Sequence, residues 1–315
     1  MMGTMISTSL PLAEITLARH ETFHIRDGWL SKGLDALDDE PLALSLKGAH
    51  NRLGVGKNML TAIRYWVQAT GLAEPAVKRI GGRQLLHLSR VGAIVSEYDH
   101  FFEDAASLWV AHMGLASNQP LATLWYWAFN EFDAPVFNDN DLFEGFTRYA
   151  ESLGKSNLNE KSIRKDVNVF IRTYKGSESA ALTHALEDRL DCPFVSLGLV
   201  EAARGAKPMA FSVGSKEALM PAVVGYAALR FRESTRTASE VVSLDELRWA
   251  PNSPGRLLQL DSRSLVDSLE IVEEQTEGRW FRVSRTAGLG NVHFNQVDPV
   301  EALRWHYVIE DSGAL

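Results

Sequence analysis

A mainly α fold with small β-hairpins (α+β), built of tandem winged helix-turn-helix-like modules, is what the sequence predicts. Three observations predict it. Apolar residues recur at three-and-four spacing through most of the 315 residues. A glycine turn, a helix and a Gly-Gly hairpin follow one another between positions 51 and 93. A second helix, glycine turn and helix occupy positions 140 to 175. Three parts are expected: 1–118, a winged-helix DNA-binding domain; 119–178, a second helix-turn-helix-like domain; and 179–315, an α+β domain of possible winged-helix form.

The amino-terminal stretch "ARHETFHIRDGWLSKG" gathers His20, Glu21, His24, Arg26, Asp27 and Lys32. "HETFH" satisfies H-E-x-x-H, but that motif places its histidines on one face only in a helix, and the β-favouring "EITL" before it argues against one. No third zinc ligand is visible nearby. In an extended segment or loop, Glu21 and Asp27 could hold Mg2+ or Mn2+, with His20 as general base and Arg26 as the cationic neighbour. That set suits phosphodiester cleavage, and Glu21 is its metal-holding candidate. The other reading is a network of His20, Glu21 and Arg26 that pins the amino terminus to the winged helix. Both stay open at this point.

"PLALSLKGAH" is a short helix candidate. "NRLGVGKNMLTAIRYW" then holds Gly-x-Gly-Lys, which is not a phosphate-cradling P-loop. Asn51 stands where the first glycine belongs, Asn58 where the hydroxyl belongs, and no β-run leads in. Met59, Ala62, Ile63, Trp66 and Val67 instead make an apolar helical stripe that ends at Gly71. Lys57, Asn58, Thr61 and Arg64 fall outside it, with Asn58 either capping the helix or facing a ligand. "AVKRIGGRQLLHLSRVGA" reads as a hairpin turning at Gly81-Gly82, with Arg79 and Arg83 on its arms. The second helix of such a unit commonly enters the major groove.

"EYDHFFEDAASLWVAHMGLA" and "PLATLWYWAFNEF" read as amphipathic helices whose Trp109, Trp125 and Trp127 are packing. In "NEKSIRKDVNVFIRTYK", Ile163, Val167, Phe170 and Ile171 form the buried face, while Ser162, Lys165 and Asp166 point elsewhere. Lys161, Arg164 and Lys165 are candidate DNA contacts there, the alternative being ordinary exposed cations. Beyond about Ala180, helices alternate with short β-like pieces, and "RWFRVSRTAGLGNVHF" fits a strand then a loop. "TAGLGN" lacks the third glycine and following helix of a dinucleotide site.

Charge gives these elements a direction. The chain carries a formal net charge of −8, yet Pro41 to Ser96 hold eight basic residues against Glu74 alone, a local +7. A basic stripe on an acidic body is the footprint of a phosphate-backbone contact. Val91 to Glu151 sets ten carboxylates against Arg148 and cannot lie along a nucleic-acid backbone. The single cysteine, Cys192, is expected as a buried thiol, and excludes multi-cysteine zinc and iron–sulfur sites. With no long apolar run and no leader-like amino terminus, the expectation is a cytoplasmic protein with no membrane contact.

"RHETFHIRDGWLSKG" and "LGVGKNMLTAIRYW", with "DHFFEDAASLWVAHMGLA", "NEKSIRKDVNVFIRTY", "LEDRLDCPFVSLGLV" and "RTAGLGNV", resemble the bacterial family known as domain of unknown function 4007. The resemblance spans nearly the whole chain, and its first two motifs are the specific ones. The positions that match are His20, Glu21, Phe23, Arg26, Trp29 and Lys32, then Gly54, Gly56, Lys57, Asn58, Arg64 and Trp66. His24 and Asp27 are more variable in the family, which speaks against a zinc pair. The resemblance implies a place in DNA phosphorothioation and antiphage defence. It implies a DNA nickase acting with a cysteine desulfurase, an ATP-pyrophosphatase-like enzyme and an ATPase. No PD-x-E-x-K signature is present to locate such chemistry. Two functions are therefore carried forward: a nickase dependent on Mg2+ or Mn2+, and a non-catalytic, sequence-specific adaptor that recruits the modification enzymes to double-stranded DNA. A homodimer is left open.

Overall fold

A computed structural model of the protein describes residues 14–175, 192–203, 208–235, 240–286 and 289–311. Helix α1 (Trp29–Asp39) starts after Gly28 and buries Trp29, Leu30, Leu34 and Leu37. The short helix expected in "PLALSLKGAH" is instead a 3-10 turn, Ala43–Ser45, followed by α2 (Ala49–Arg52). Two glycines with their own conformational demands, Gly48 (φ 84°) and Gly54 (φ 66°), bracket α2 and keep these pieces from joining.

Helix α3 (Lys57–Ala69) buries Ala62, Ile63, Trp66 and Val67, as its periodicity predicts, and Tyr65 and Ala69 besides. Strands β1 (Ala73–Ile80) and β2 (Arg83–Leu88) pair antiparallel about Gly81 and Gly82. Both glycines have positive φ, 56° and 74°, as a two-residue type I′ hairpin requires. The register shifts between Pro75 and Arg79, so the far half of the hairpin is bulged. The turn at residues 70–72 lies against α4 (Arg90–Tyr98) and α5 (Ala105–Ala116) at two glycines. A Cβ on Gly92 would stand 1.9 Å from the Leu72 carbonyl oxygen, and one on Gly114 1.9 Å from that of Thr70. Backbone meets backbone there, and no side chain fits.

The continuous helix expected from Glu97 to Ala116 is broken. The Asp99 carboxylate accepts from the amides of Glu103 (2.8 Å) and Asp104 (3.1 Å), and Phe102 takes a left-handed φ of 58°. Asp104 then caps α5. Helix α6 (Thr123–Asn130) packs the tryptophan-rich segment inward: Trp109, Trp125 and Trp127 are all buried. A capping box of Asn138 and Asp141 starts α7 (Asp139–Ser152), and Asn159 caps α8 (Glu160–Tyr174).

The remainder adds the β3 (Val200–Ala202) and β4 (Met209–Phe211) pair, then α9 (Pro221–Ser234). Next come β5 (Val241–Ser243), α10 (Leu244–Trp249), α11 (Pro254–Leu257) and α12 (Ser262–Gln275). Strands β6 (Phe281–Thr286) and β7 (Leu289–Phe294) and helix α13 (Pro299–Asp311) complete it. "LGNVHF", expected as a loop, is the second arm of a hairpin. It is held in the middle of a sheet of order β5-β7-β6, where the periodic signal of one short strand is too weak to read. Cys192 is buried, its thiol directed at the Thr173 carbonyl at 3.2 Å. Buried apolar residues from Ile25 to Tyr307 make one contiguous core. Among the described residues, no helix is long and apolar enough to cross a membrane.

Candidate nucleic-acid interface

The outward side of α3 is polar because its apolar arc is spent on the core. Lys57, Asn58 and Thr61 are exposed along it. Gly56 occupies the cap position with no side-chain bond to the first-turn amides, so Asn58 stands within the first turn and is not the cap. Those open amides carry the positive end of the helix dipole. Arg64, on the same stripe, is half-buried and already engaged. Its guanidinium donates to the Ser45 hydroxyl and to the Gln84 carbonyl (3.3 Å), and burial lowers its pKa. It fastens α3 to the 3-10 turn and to β2. Gln84 in turn bonds Ala76 O (2.5 Å) and accepts from Arg79 Nε (3.0 Å), which extends the same chain of bonds into the hairpin. Arg79 and Arg83 remain exposed.

Lys161, Arg164 and Lys165 are exposed on α8, and the Arg164 guanidinium lies 4.0 Å from the Phe143 ring centre. Asp166, expected to point outward with them, is 2 % exposed. Its Oδ1 accepts from the Ala18 amide (2.8 Å) and bonds His20 Nε2 (2.9 Å). Burial pushes the Asp166 carboxyl up, and the bonds from His20 and Ala18 oppose that rise.

His20 therefore does not belong to a surface cluster. Fully buried, it stacks on Trp66 of α3 (ring centres 5.8 Å apart, planes 12° apart) and meets Tyr65 and Trp125 edge-on. Around it, the segment is fastened by Thr16 N to Thr123 Oγ1 (3.0 Å), Thr16 Oγ1 to Pro120 O (2.7 Å) and Trp66 Nε1 to Phe23 O (3.1 Å). The segment is a turn with no helix, and Glu21 (φ 51°) and Thr22 (φ 69°) are left-handed within it. Glu21 and Asp27 are exposed, while His24 is buried. The Arg26 guanidinium lies 5.5 Å from the Phe23 ring and 5.6 Å from that of Trp29. The structure thus brings His20 to Asp166 and Arg26 to two aromatic rings, and leaves Glu21 outside. A helical H-E-x-x-H site is excluded by the backbone alone.

As a divalent-cation site these residues do not fit. Magnesium asks for oxygen ligands converging on open water-accessible space. Here His20 is turned inward and Glu21 outward, and among the described residues no three His, Cys, Asp or Glu side chains converge as ligands. Sequence reading missed Asp166, though a signal existed. It lies three residues after Ile163 and four before Phe170, on the flank of the apolar arc.

The sequence profile of the family described as "Protein of unknown function (DUF4007)" matches residues 17–308, and the chain belongs to that family. Two solved structures, described as "SspB crystal structure" and "Magnesium ion-bound SspB crystal structure", are similar to it. Each superposes with a TM-score of 0.82 at 29% identity, covering 96% of this chain and 90% of the other. No curated protein matches the chain.

Proposed function

We propose that this protein is the DNA-binding component of a bacterial phosphorothioation-linked antiphage system, and that it opens one strand of duplex DNA for sulfur incorporation. The observation that carries the DNA contact is the exposed face of α3 within a segment of local charge +7 on a −8 chain. The order α1, α2, α3, β1, β2 supports the winged helix-turn-helix reading, in which the Leu86 amide bonding Pro41 O (3.0 Å) stands where a third strand would lie. In this reading Lys57, Asn58 and Thr61 face the major groove, while Arg79 and Arg83 hold the flanking backbone. Arg64 positions α3 against the wing.

Residues 221–294 follow the same plan, with a helix, a strand, two short helices, a longer helix and a hairpin in a β5-β7-β6 sheet. There α12 sets Asp267, Glu270, Glu273 and Glu274 against Arg263 alone. Such a helix repels a phosphate backbone, so this unit is assigned to protein contacts. Its partners would be the cysteine desulfurase, the ATP-pyrophosphatase-like enzyme and the ATPase of the system, in the cytoplasm. Likeness to SspB structures, one of them magnesium-bound, supports the placement and the choice of cation for the assay. Glu21, exposed on the amino-terminal turn, is the carboxylate proposed to serve cleavage. The second reading, a non-cutting adaptor, draws on the misfit of the amino-terminal residues to a metal.

A supercoiled-plasmid assay with and without Mg2+ or Mn2+ separates the two. The nickase reading expects open-circular product only with the cation. It also expects that Glu21→Gln loses this product while keeping its melting temperature and gel-shift affinity. Full nicking by a folded Glu21→Gln protein would remove this carboxylate from the chemistry, and no nicking by the wild type would leave the adaptor.

A further inference from the structure

We infer that α8 is a second phosphate-contact surface, so that one DNA duplex is held at α3 and the wing and again along α8. The inference rests on the DNA reading and extends it to residues outside the winged unit.

The outward face of α8 is uniform in sign. Positions 161, 164, 165, 168 and 172 are exposed, and they are Lys161, Arg164, Lys165, Asn168 and Arg172. Their spacing places them on one side of the helix. After the first residue, the helix contains one carboxylate, Asp166, and it is drawn into the interior by His20 and the Ala18 amide. Burial of Asp166 therefore does two things at once: it anchors the amino-terminal segment and leaves no carboxylate on the outer face from Lys161 to Arg172.

An ordinary solvated basic face on an acidic protein finds acidic neighbours. Three exposed arginines elsewhere do so: Arg90 meets Asp298 at 2.5 Å, Arg285 meets Glu270 at 2.6 Å, and Arg263 meets Asp267 at 3.5 Å. Among the described residues, no ion pair engages Lys161, Arg164, Lys165 or Arg172. The Arg164 guanidinium instead sits over the Phe143 ring, 4.0 Å from its centre.

Arg19 adds one more exposed cation close to α8, directly after the residue whose amide bonds Asp166. Fifteen residues of α8 span about 22 Å, roughly two-thirds of a DNA helical turn. The occupant that fits is a further stretch of the duplex already held by α3.

Salt-dependent binding of labelled 12-bp and 30-bp duplexes tests this. For Lys165→Gln/Arg172→Gln, the slope of log K against log salt on the 30-bp duplex should fall by about two relative to wild type, and stay unchanged on the 12-bp duplex. Arg263→Gln/Arg304→Gln, which removes two charges elsewhere, should leave both slopes in place. An unchanged 30-bp slope for the α8 variant, beside a lowered one for Lys57→Gln, would overturn the second surface while keeping the first. An equal loss from the Arg263/Arg304 variant would reduce the effect to net charge and overturn it as well. Wild-type protein that binds neither duplex would overturn the DNA reading itself, and this inference with it.

Discussion

Asp166→Ala is expected to cost about 3–5 kcal/mol of folding free energy, the range for breaking a buried pair at one partner. The carboxylate joins three parts of the chain: α8, which carries it; the amino-terminal segment, through Ala18 and His20; and α3, on whose Trp66 the imidazole stacks. Alanine would leave His20 enclosed by Trp66, Tyr65 and Trp125 with no acceptor for Nε2, and would strip the Ala18 amide of its bond. Each of those losses is a desolvated polar group without a partner. Glu21→Gln, at an exposed position on the same turn, is expected to change stability by less than about 0.5 kcal/mol. Urea unfolding of the two variants beside wild type measures both. A loss below about 1 kcal/mol for Asp166→Ala would mean that the apolar contacts of the segment hold it without the pair.

The second large effect is on acid stability. His112 is fully buried where α5, α8 and α11 meet, with Nδ1 2.9 Å from the Tyr174 hydroxyl and Nε2 2.8 Å from the Leu257 carbonyl. The arrangement suits a neutral ring, with Nε2–H donating to Leu257 O and Nδ1 accepting from Tyr174. Burial, partly offset by the bond to Leu257, lowers its pKa from 6.5 to about 4. A folded pKa below the unfolded one gives stability that is fully present above pH 6.5 and lost as the pH falls towards 4. At about 1.4 kcal/mol per unit, the full loss is about 3–4 kcal/mol. His112→Gln should be less stable than wild type at pH 7, with the gap narrowing on acidification. Parallel stability curves between pH 7 and 4.5 would contradict the assignment.

Much of this is legible in the sequence, and what is not has a common physical cause. Helix α3 and the Gly81-Gly82 hairpin were legible because their signals are local: an apolar arc of period 3.6 and a turn that only glycines make without strain. The break between α4 and α5 was not, because Asp99 and Asp104 cap from within a stretch that is otherwise helix-like in pattern. Asp166 reads as outward because it lies off the apolar arc of α8, and its partner is 146 residues away. Arg64 reads as a DNA contact from its helical position, its charge and the family resemblance. Its role in tying α3 to β2 depends on Ser45 and Gln84, which the helical pattern does not reach. Periodicity tells which arc of a helix is apolar. It does not tell what enters that arc from elsewhere in the chain.

The proposed function depends first on contact between DNA and the face made by α3 and the β1–β2 hairpin. Fluorescence anisotropy of a 30-bp duplex, titrated across a salt series with wild-type and Lys57→Gln/Arg79→Gln/Arg83→Gln proteins, measures that contact. Three lost phosphate contacts should flatten the salt dependence by nearly three and weaken binding across unrelated duplex sequences, at unchanged melting temperature. Equal affinity and equal slope in the two proteins would contradict it.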